Sequence, residues 1–258
     1  MMTQLEPITE STVIDVAQDL EAWAASLLQR LRTTPDAFSI FNHLLIEKLQ
    51  GGTPISALIE CHVPEHPLTE LVRAQRPSFS PHLRSDITLE LEASRLAFSA
   101  PRLELRQQLC FIAASIGVTS EIRAAGVMAI GSPDTGNVIF PAQAHIGPQM
   151  AVLEKWRSEW RERNPLLGII ISMILLQRIH LFKDSNGRTT RSFFSLEFSE
   201  LIGRFSYIPW TLAASINPIC WHLRLREAQG RGKWNGIVLH ALTVIESMLT
   251  AATTAEAK

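Results

Sequence analysis

The sequence from residue 179 to residue 191 is Ile179-His180-Leu181-Phe182-Lys183-Asp184-Ser185-Asn186-Gly187-Arg188-Thr189-Thr190-Arg191. It follows an apolar run that begins at Pro165. That run predicts a buried helix, because proline at the first helical position gives up an N–H group that has no partner there. Turn-forming residues at 184–187 end the run, and a second helical pattern covers 187–202. The sequence therefore predicts a helix, a tight turn and the N-terminus of a second helix.

The predicted turn carries the side chains expected of a site for a phosphate-containing ligand. Unpaired N–H groups and the positive end of the helix dipole attract anions to a helix N-terminus. Arg188 and Arg191 are three residues apart, so both guanidinium groups project from one side of the second helix and suit a polyphosphate. Asp184 precedes the turn, where a carboxylate can hold a magnesium ion that bridges phosphate oxygens. His180 is the nearby group whose ordinary pKa suits a general base.

Each of these residues also has an ordinary structural explanation when it is taken alone. A histidine after an apolar helix is more often structural, an aspartate before a helix is usually a cap, and arginines in a first helical turn usually face solvent. The combination at fixed spacing is what favours a nucleotide site.

The segment resembles the signature of the Fic (filamentation induced by cAMP) family, His-x-Phe-x-(Asp/Glu)-Gly-Asn-Gly-Arg-x-x-Arg. The resemblance implies a mostly α fold, a Fic-type helical bundle with a small β-hairpin flap and an N-terminal helical region. It also implies that His180 deprotonates a hydroxyl group, that Phe182 anchors the loop and that Asp184 binds Mg²⁺. The residues that would bind the phosphates of ATP are Ser185, Asn186, Gly187, Arg188 and Arg191.

Two positions depart from the family pattern. Ser185 stands where the pattern has glycine, and Leu181 stands where many members have proline. If the backbone at residue 185 must adopt a positive φ, serine costs about 1 kcal/mol there and can displace the amide that meets a phosphate. Ser185 therefore leaves open a phosphate-containing donor other than ATP.

Two short apolar runs, at 127–130 and 138–140, flank a cluster of turn-forming residues upstream of the signature. This pattern predicts a β-hairpin in an otherwise helical sequence. In Fic proteins such a hairpin, the flap, pairs with an extended segment of the target. The resemblance implies that a target protein docks through flap residues 127–140, and an exposed strand edge is suited to that task. The alternative is a loop that only covers the core.

A further upstream pattern suggests regulation. Many Fic proteins carry an inhibitory helix with the pattern (Ser/Thr)-x-x-x-Glu-(Gly/Asn), whose glutamate pairs with the last arginine of the signature. Ser56 and Glu60 match this pattern, with Cys61 at its last position. The resemblance implies that Glu60 competes with the γ-phosphate for Arg191. A second match ends at Glu92, closer to the flap than the family arrangement has. Such strings are common by chance, and a solvated glutamate is the alternative for both.

Composition narrows the class of protein. The chain has 258 residues, 46% hydrophobic content and a net charge of −1, which predicts a packed soluble protein without a nucleic-acid or membrane partner. The first residues lack the features of a signal peptide, and the apolar run before His180 is too short to span a bilayer. Three widely spaced cysteines indicate reduced thiols and a cytoplasmic location.

Proline-rich loops suggest a division of the chain near residue 100. Residues 1–99 would form the N-terminal helical region, with the inhibitory helix near 55–61, and residues 100–258 would form the Fic core domain. A homo-oligomer stays open.

The leading prediction is a protein adenylyltransferase (AMPylator), which moves AMP from ATP to a Ser, Thr or Tyr hydroxyl of a target protein with Mg²⁺. The first alternative is a Fic-fold enzyme that uses another phosphate-containing donor or removes AMP. The second is a catalytically silent Fic-fold binding protein, which the intact signature residues argue against. A P-loop enzyme is excluded because the sequence has no Gly-x-x-x-x-Gly-Lys-(Ser/Thr) segment.

Overall fold

The computed structural model of the protein describes residues 2–34, 37–51, 82–117, 120–124, 128–129, 137–216 and 218–256. Helices form most of this part of the chain, as predicted. In chain order they are α1 (Gln18–Thr33), α2 (Ala37–Gln50), α3 (Leu83–Ser99), α4 (Leu105–Ser115), α5 (Ile146–Arg163), α6 (Pro165–Ile179), α7 (Asn186–Ile202), α8 (Trp210–Ile216), α9 (Pro218–Arg231) and α10 (Asn235–Glu256). The strands are β1 (Met2–Gln4), β2 (Met128–Ala129) and β3 (Asn137–Ile139).

Helix α6 is the central helix that the apolar run predicts. Apart from Pro165 and Gln177, all its residues are buried. The Asn164 side chain caps its first turn by accepting a hydrogen bond from the Leu167 N–H group at 3.3 Å. Helices α5 and α7 pack along it. A Cβ at Gly168 would lie 3.2 Å from the carbonyl carbon of Trp160, so glycine allows α5 and α6 to approach closely.

Helix α3 packs along α7, the helix that begins in the signature turn. The Ser94 hydroxyl of α3 donates to the carbonyl oxygen of Ser192 in α7, at 3.2 Å. Buried residues of α3 recur at 83, 87, 90, 94 and 97, the spacing of one helix face. Glu90 belongs to that buried face, so α3 presents a carboxylate to the signature helix.

The strands form a small sheet in the order β1-β3-β2. Strands β2 and β3 pair antiparallel and are the hairpin that the sequence predicts, while β1 pairs parallel with the other edge of β3. The Leu5 N–H group continues this pairing to the carbonyl of Ile139 at 2.9 Å, and Leu5, Val138 and Phe140 form a small apolar cluster. Sequence analysis missed β1, because three residues are too few to show a strand period.

Helices on both sides of residue 100 contribute to one hydrophobic core. The proposed division of the chain near that residue therefore stays a prediction. Within the described residues, one helical stretch, Asn235–Thr253, is long and apolar enough by length and composition to cross a membrane, with a mean hydropathy of 1.5. In the structure 61% of that stretch is buried, and α10 packs against α1, α2, α6 and α9. The apolarity of α10 is what a core helix of the bundle requires.

Candidate active site

His180 ends α6 in a left-handed backbone conformation, with φ 52° and ψ 59°. Its N–H group still donates to the carbonyl of Leu176 at 3.1 Å, so the imidazole is carried by the last residue attached to the helix. The ring stacks on Phe140, at the end of the flap, with 3.8 Å between ring centroids and 18° between planes. The flap therefore covers one face of the predicted base.

The pKa of His180 is lowered from its ordinary 6.5 to about 4. Burial is the main cause and the positive charge of Arg123 is the second, while a backbone hydrogen bond and the charge of Asp184 act in the opposite direction. The imidazole is consequently neutral at pH 7. A neutral imidazole can accept a proton, which a general base must do.

The loop after His180 is held by two side chains. Phe182 is almost fully buried and forms an antiparallel bridge with Ile122. The amide of Asn186 accepts a hydrogen bond from the Phe182 N–H group at 2.8 Å and donates one to the Phe182 carbonyl at 2.7 Å. Both ends of the Asn186 side chain therefore fix the loop, which leaves its backbone N–H group as the part available for a phosphate.

Ser185 has φ 59° and ψ 18°, so the left-handed conformation that the glycine of the family pattern would favour is present here with a serine. The Ser185 N–H group donates to the Asp184 carboxylate at 2.5 Å, and the Ser185 hydroxyl accepts a hydrogen bond from Arg188 Nη2. The serine thus carries a backbone penalty of about 1 kcal/mol and also engages one arginine of the signature.

The first turn of α7 presents N–H groups to the cavity, because the opening N–H groups of an α-helix have no partner within it. Gly187 lies in this turn. A Cβ there would come within 2.8 Å of Arg191 Nη1, so glycine makes room for the guanidinium group. The position of Arg191 thus depends on a residue without a side chain.

Arg191 is paired with Glu90 of α3. Its Nε and Nη2 donate to the same oxygen, Oε1 of Glu90, at 3.0 and 2.6 Å. The Glu90 side chain is fully buried and also accepts hydrogen bonds from the hydroxyls of Tyr207 at 3.2 Å and Thr211 at 2.6 and 2.8 Å. Burial, followed by the charge of Glu90, raises the pKa of Tyr207, so that its hydroxyl keeps the proton it donates. The Glu90 carboxylate therefore accepts hydrogen bonds from three side chains, those of Arg191, Tyr207 and Thr211.

Arg188 pairs with Asp86, a carboxylate of helix α3 that is more exposed than Glu90. Its Nη1 lies 3.4 Å from Oδ1 of Asp86, and both side chains remain about a quarter exposed, at 25% and 29%. Helix α3 thus supplies an acidic partner to each arginine of the signature.

The predicted inhibitory residues Ser56 and Glu60 lie outside the described residues. Among those described, the carboxylate on Arg191 is that of Glu90, which sequence analysis missed, and the second candidate, Glu92, is exposed. The missed signal was the position of Glu90 on the apolar face of α3. A glutamate that interrupts such a face needs a buried cationic partner.

The signature residues line one cavity of about 630 Å³, a size that suits a nucleotide. Residues of α3 and the one before it, His82, Ser85, Asp86 and Leu89, form the opposite wall. The structure brings together in this cavity all seven of the predicted site residues that belong to the signature: His180, Asp184, Ser185, Asn186, Gly187, Arg188 and Arg191. Asp184 is exposed to the cavity. A single exposed carboxylate suits Mg²⁺, which takes most of its ligands from water and phosphate oxygens.

No protein-family model and no curated protein sequence matches this chain. Solved structures do match. A Fic family protein from Desulfovibrio desulfuricans is similar with 17% sequence identity and a TM-score of 0.63, over 95% of this chain and 76% of that one. A signalling protein with a Fic domain from Bacteroides thetaiotaomicron is similar with 15% identity and a TM-score of 0.57, over 93% of this chain and 97% of that one. The chain therefore has the fold of Fic family proteins.

Proposed function

We propose that the protein is a Fic-type nucleotidyltransferase that transfers AMP from ATP to a Ser, Thr or Tyr hydroxyl of a target protein. The observation that carries this proposal is the convergence of a neutral, half-buried histidine with a helix N-terminus and two arginines around one cavity. The Fic fold is typical of transferase-type enzymes, and the donor and acceptor in this proposal are those that the resemblance of the signature implies. Mg²⁺ held by Asp184 would neutralise charge on the donor phosphates.

In the proposed reaction, His180 takes the proton of the target hydroxyl as its oxygen attacks the α-phosphorus of ATP. The bond from that phosphorus to the bridging oxygen of the β-phosphate breaks, and pyrophosphate leaves. Positioning and charge neutralisation supply most of the rate enhancement in phosphoryl chemistry of this kind. The amides that open α7, with Arg188 and Arg191, would bind the phosphates.

The target would dock on the flap. Both edges of β3 are paired, one with β2 and the other with β1. We therefore place the target segment on the outer edge of β2, at Met128–Ala129, where main-chain hydrogen bonds can hold an extended peptide. Main-chain pairing at this edge orients a hydroxyl of the target and depends little on the target's other side chains.

We further propose that Glu90 is the inhibitory glutamate, the role for which the sequence suggested Glu60. A phosphate oxygen that binds the Nε and Nη2 groups of Arg191 must compete with the carboxylate that occupies them. Tyr207 and Thr211 would still hold Glu90 after Arg191 turns to a phosphate. Release of the arginine therefore does not leave a buried carboxylate without donors.

The ion pairs of Glu90 with Arg191 and of Asp86 with Arg188 also support a second candidate function. Because Glu90 and Asp86 engage the two arginines, and Ser185 also binds Arg188, the cavity accommodates a substrate with fewer phosphates more easily than a triphosphate. Such a substrate is an AMP-modified protein whose AMP is removed by water, or a diphosphate-linked donor.

The test is the intact mass of the purified protein after incubation with ATP and Mg²⁺. We compare the wild type with Glu90→Gln, Glu92→Gln and His180→Ala. Glu90→Gln keeps the size of the side chain and an oxygen that can accept from Tyr207 and Thr211, while it removes the negative charge that pairs with Arg191. Glu92→Gln is the matched control, since Glu92 is exposed on the same helix.

The expected result is a gain of AMP that increases in Glu90→Gln, is unchanged in Glu92→Gln and vanishes in His180→Ala. An equal gain in Glu90→Gln and the wild type would remove the inhibitory role. If no variant gains AMP, alone or with a cell extract as the source of target, the transfer proposal fails for ATP. The same variants are then compared with diphosphate-linked donors and with an AMP-modified protein.

A further inference from the structure

We propose that Arg123 is a positioning residue that fixes the backbone of His180 and connects it to the flap, so that docking on the flap is coupled to the geometry of the base. This inference rests on the proposed function of His180. Arg123 lies between α4 and the flap, is 2% exposed and lies outside the signature.

Arg123 binds the backbone on both sides of the histidine. Its Nε donates to the carbonyl of His180 at 2.7 Å, and its Nη2 lies 3.4 Å from the carbonyl of Ile179. Its own N–H group donates to the carbonyl of Leu181 at 3.2 Å. The last carbonyls of a helix lack partners within it and attract a positive charge. A single residue thus holds three consecutive carbonyls at the end of α6.

The same guanidinium group reaches the flap. Nη2 of Arg123 donates to the carbonyl of Pro141, the residue after Phe140. Phe140 in turn stacks on the His180 ring at 3.8 Å. The backbone of His180 and the aromatic ring that packs on its imidazole are therefore connected through one buried side chain.

The backbone of His180 needs such support. A non-glycine residue in the left-handed region costs about 1–2 kcal/mol, and the conformation persists only where the surroundings impose it. The bonds from Arg123 to the carbonyls of residues 179–181 provide that constraint. When a target strand pairs with the flap and moves its end, the displacement reaches His180 through Pro141 and Arg123.

Arg204 provides a matched control with similar chemistry. Its Nη2 donates to the carbonyls of Leu31 and Thr34, at 3.4 and 2.9 Å, near the C-terminal end of α1. It follows the end of α7, a helix of 17 residues. At 1.5 Å per residue that end lies roughly 25 Å from the turn that carries the signature.

The experiment compares the wild type with Arg123→Gln, Arg123→Lys and Arg204→Gln. NMR of the nucleotide-free protein follows the imidazole protons of His180, assigned through His180→Ala, which Phe140 shifts upfield by ring current. For AMP transfer to a target or to itself, kcat and the ATP dissociation constant are measured well below each melting temperature.

In Arg123→Gln we expect the ring-current shift to disappear and kcat to fall by about 100-fold, as a displacement of about 1 Å can cause, with ATP affinity unchanged. Arg123→Lys should recover part of both, because it keeps the charge but cannot bridge His180 and Pro141 together. Arg204→Gln should keep the wild-type His180 signals and kcat.

Unchanged His180 signals in Arg123→Gln overturn the proposal whether or not AMP is transferred. An equal loss of kcat in Arg204→Gln overturns it as well. If the wild type transfers no AMP while Arg123→Gln still displaces the His180 signals, the adenylyltransferase proposal fails and the positioning role stands.

Discussion

On the α3 side of the cavity two arginines meet two carboxylates, whereas on the flap side His180 meets an aromatic ring and a positive charge. On the α3 side, carboxylates of the protein itself pair with the two arginines. A phosphate that binds these arginines would have to displace the carboxylates. The flap side removes water and keeps the imidazole neutral, as a base requires. The two sides of the site therefore differ in kind, since ion pairs engage the arginines and burial lowers the pKa of the histidine.

Replacement of His180 by alanine should have the largest effect on the flap side. General base catalysis contributes about 100-fold to 10,000-fold, so kcat should fall by that factor while the ATP dissociation constant changes little, because the arginines are untouched. Single-turnover AMP transfer and calorimetric ATP binding measure the two quantities. A variant with full activity would show that another group accepts the proton.

On the α3 side, Arg191→Met should cost about 3 kcal/mol of the free energy of unfolding, because it leaves the fully buried Glu90 without its cationic partner. Arg188→Met should cost below about 1 kcal/mol, since that pair is partly exposed. Urea denaturation of both variants makes the measurement. Equal losses of the free energy of unfolding in the two variants would show that the difference in exposure between the two ion pairs does not affect stability.

The low pKa of His180 predicts a pH dependence with a definite sign. Because the folded pKa, about 4, lies below the ordinary value of 6.5, the unfolded chain binds the proton more tightly. The contribution of His180 to the free energy of unfolding is therefore present above pH 6.5 and lost as pH falls towards 4. An NMR titration of the imidazole should give a midpoint of about 4.

Removal of the Arg123 charge should raise that midpoint, since this charge is the second cause of the low pKa. Arg204→Gln is the control and should leave the midpoint in place. A wild-type midpoint near 6.5 would contradict the conclusion that burial and the charge of Arg123 lower the pKa of His180.

The smallest expected effect concerns Ser185, in the turn between His180 and α7. Ser185→Gly should stabilise the protein by up to about 1 kcal/mol, because glycine adopts the left-handed conformation without a Cβ penalty. It also frees Arg188 from the serine hydroxyl, so ATP affinity should rise. Ser185→Ala separates the two causes, since it removes the hydroxyl and keeps the Cβ. If Ser185→Ala raises the free energy of unfolding as much as glycine does, backbone strain is not the cause.

Local sequence was sufficient for the parts of the site that local contacts build. Pro165 and the apolar run predicted α6, and the turn formers at 184–187 predicted the start of α7. The hairpin was predicted from its apolar runs, and β2 and β3 confirm it. In each case the deciding interactions join residues close in sequence, where propensity, capping and turn chemistry act.

Asn186 shows what the local sequence does not reveal about a site residue. The resemblance implied a phosphate ligand, but the side chain makes two hydrogen bonds to the backbone of Phe182. A sequence motif names a residue without saying which of its atoms are already engaged. The same limit applies to Ser185, whose hydroxyl contacts Arg188.

The sequence by itself determined the mostly α fold, the helix–turn–helix of the signature and the residues that meet there. The tertiary structure decided which side chains surround them. Glu90 reaches Arg191 across 101 residues and Arg123 reaches His180 across 57, while β1 pairs with a strand that starts at Asn137. Burial and ion pairing between distant segments depend on how helices pack, and neither propensity nor spacing encodes that packing.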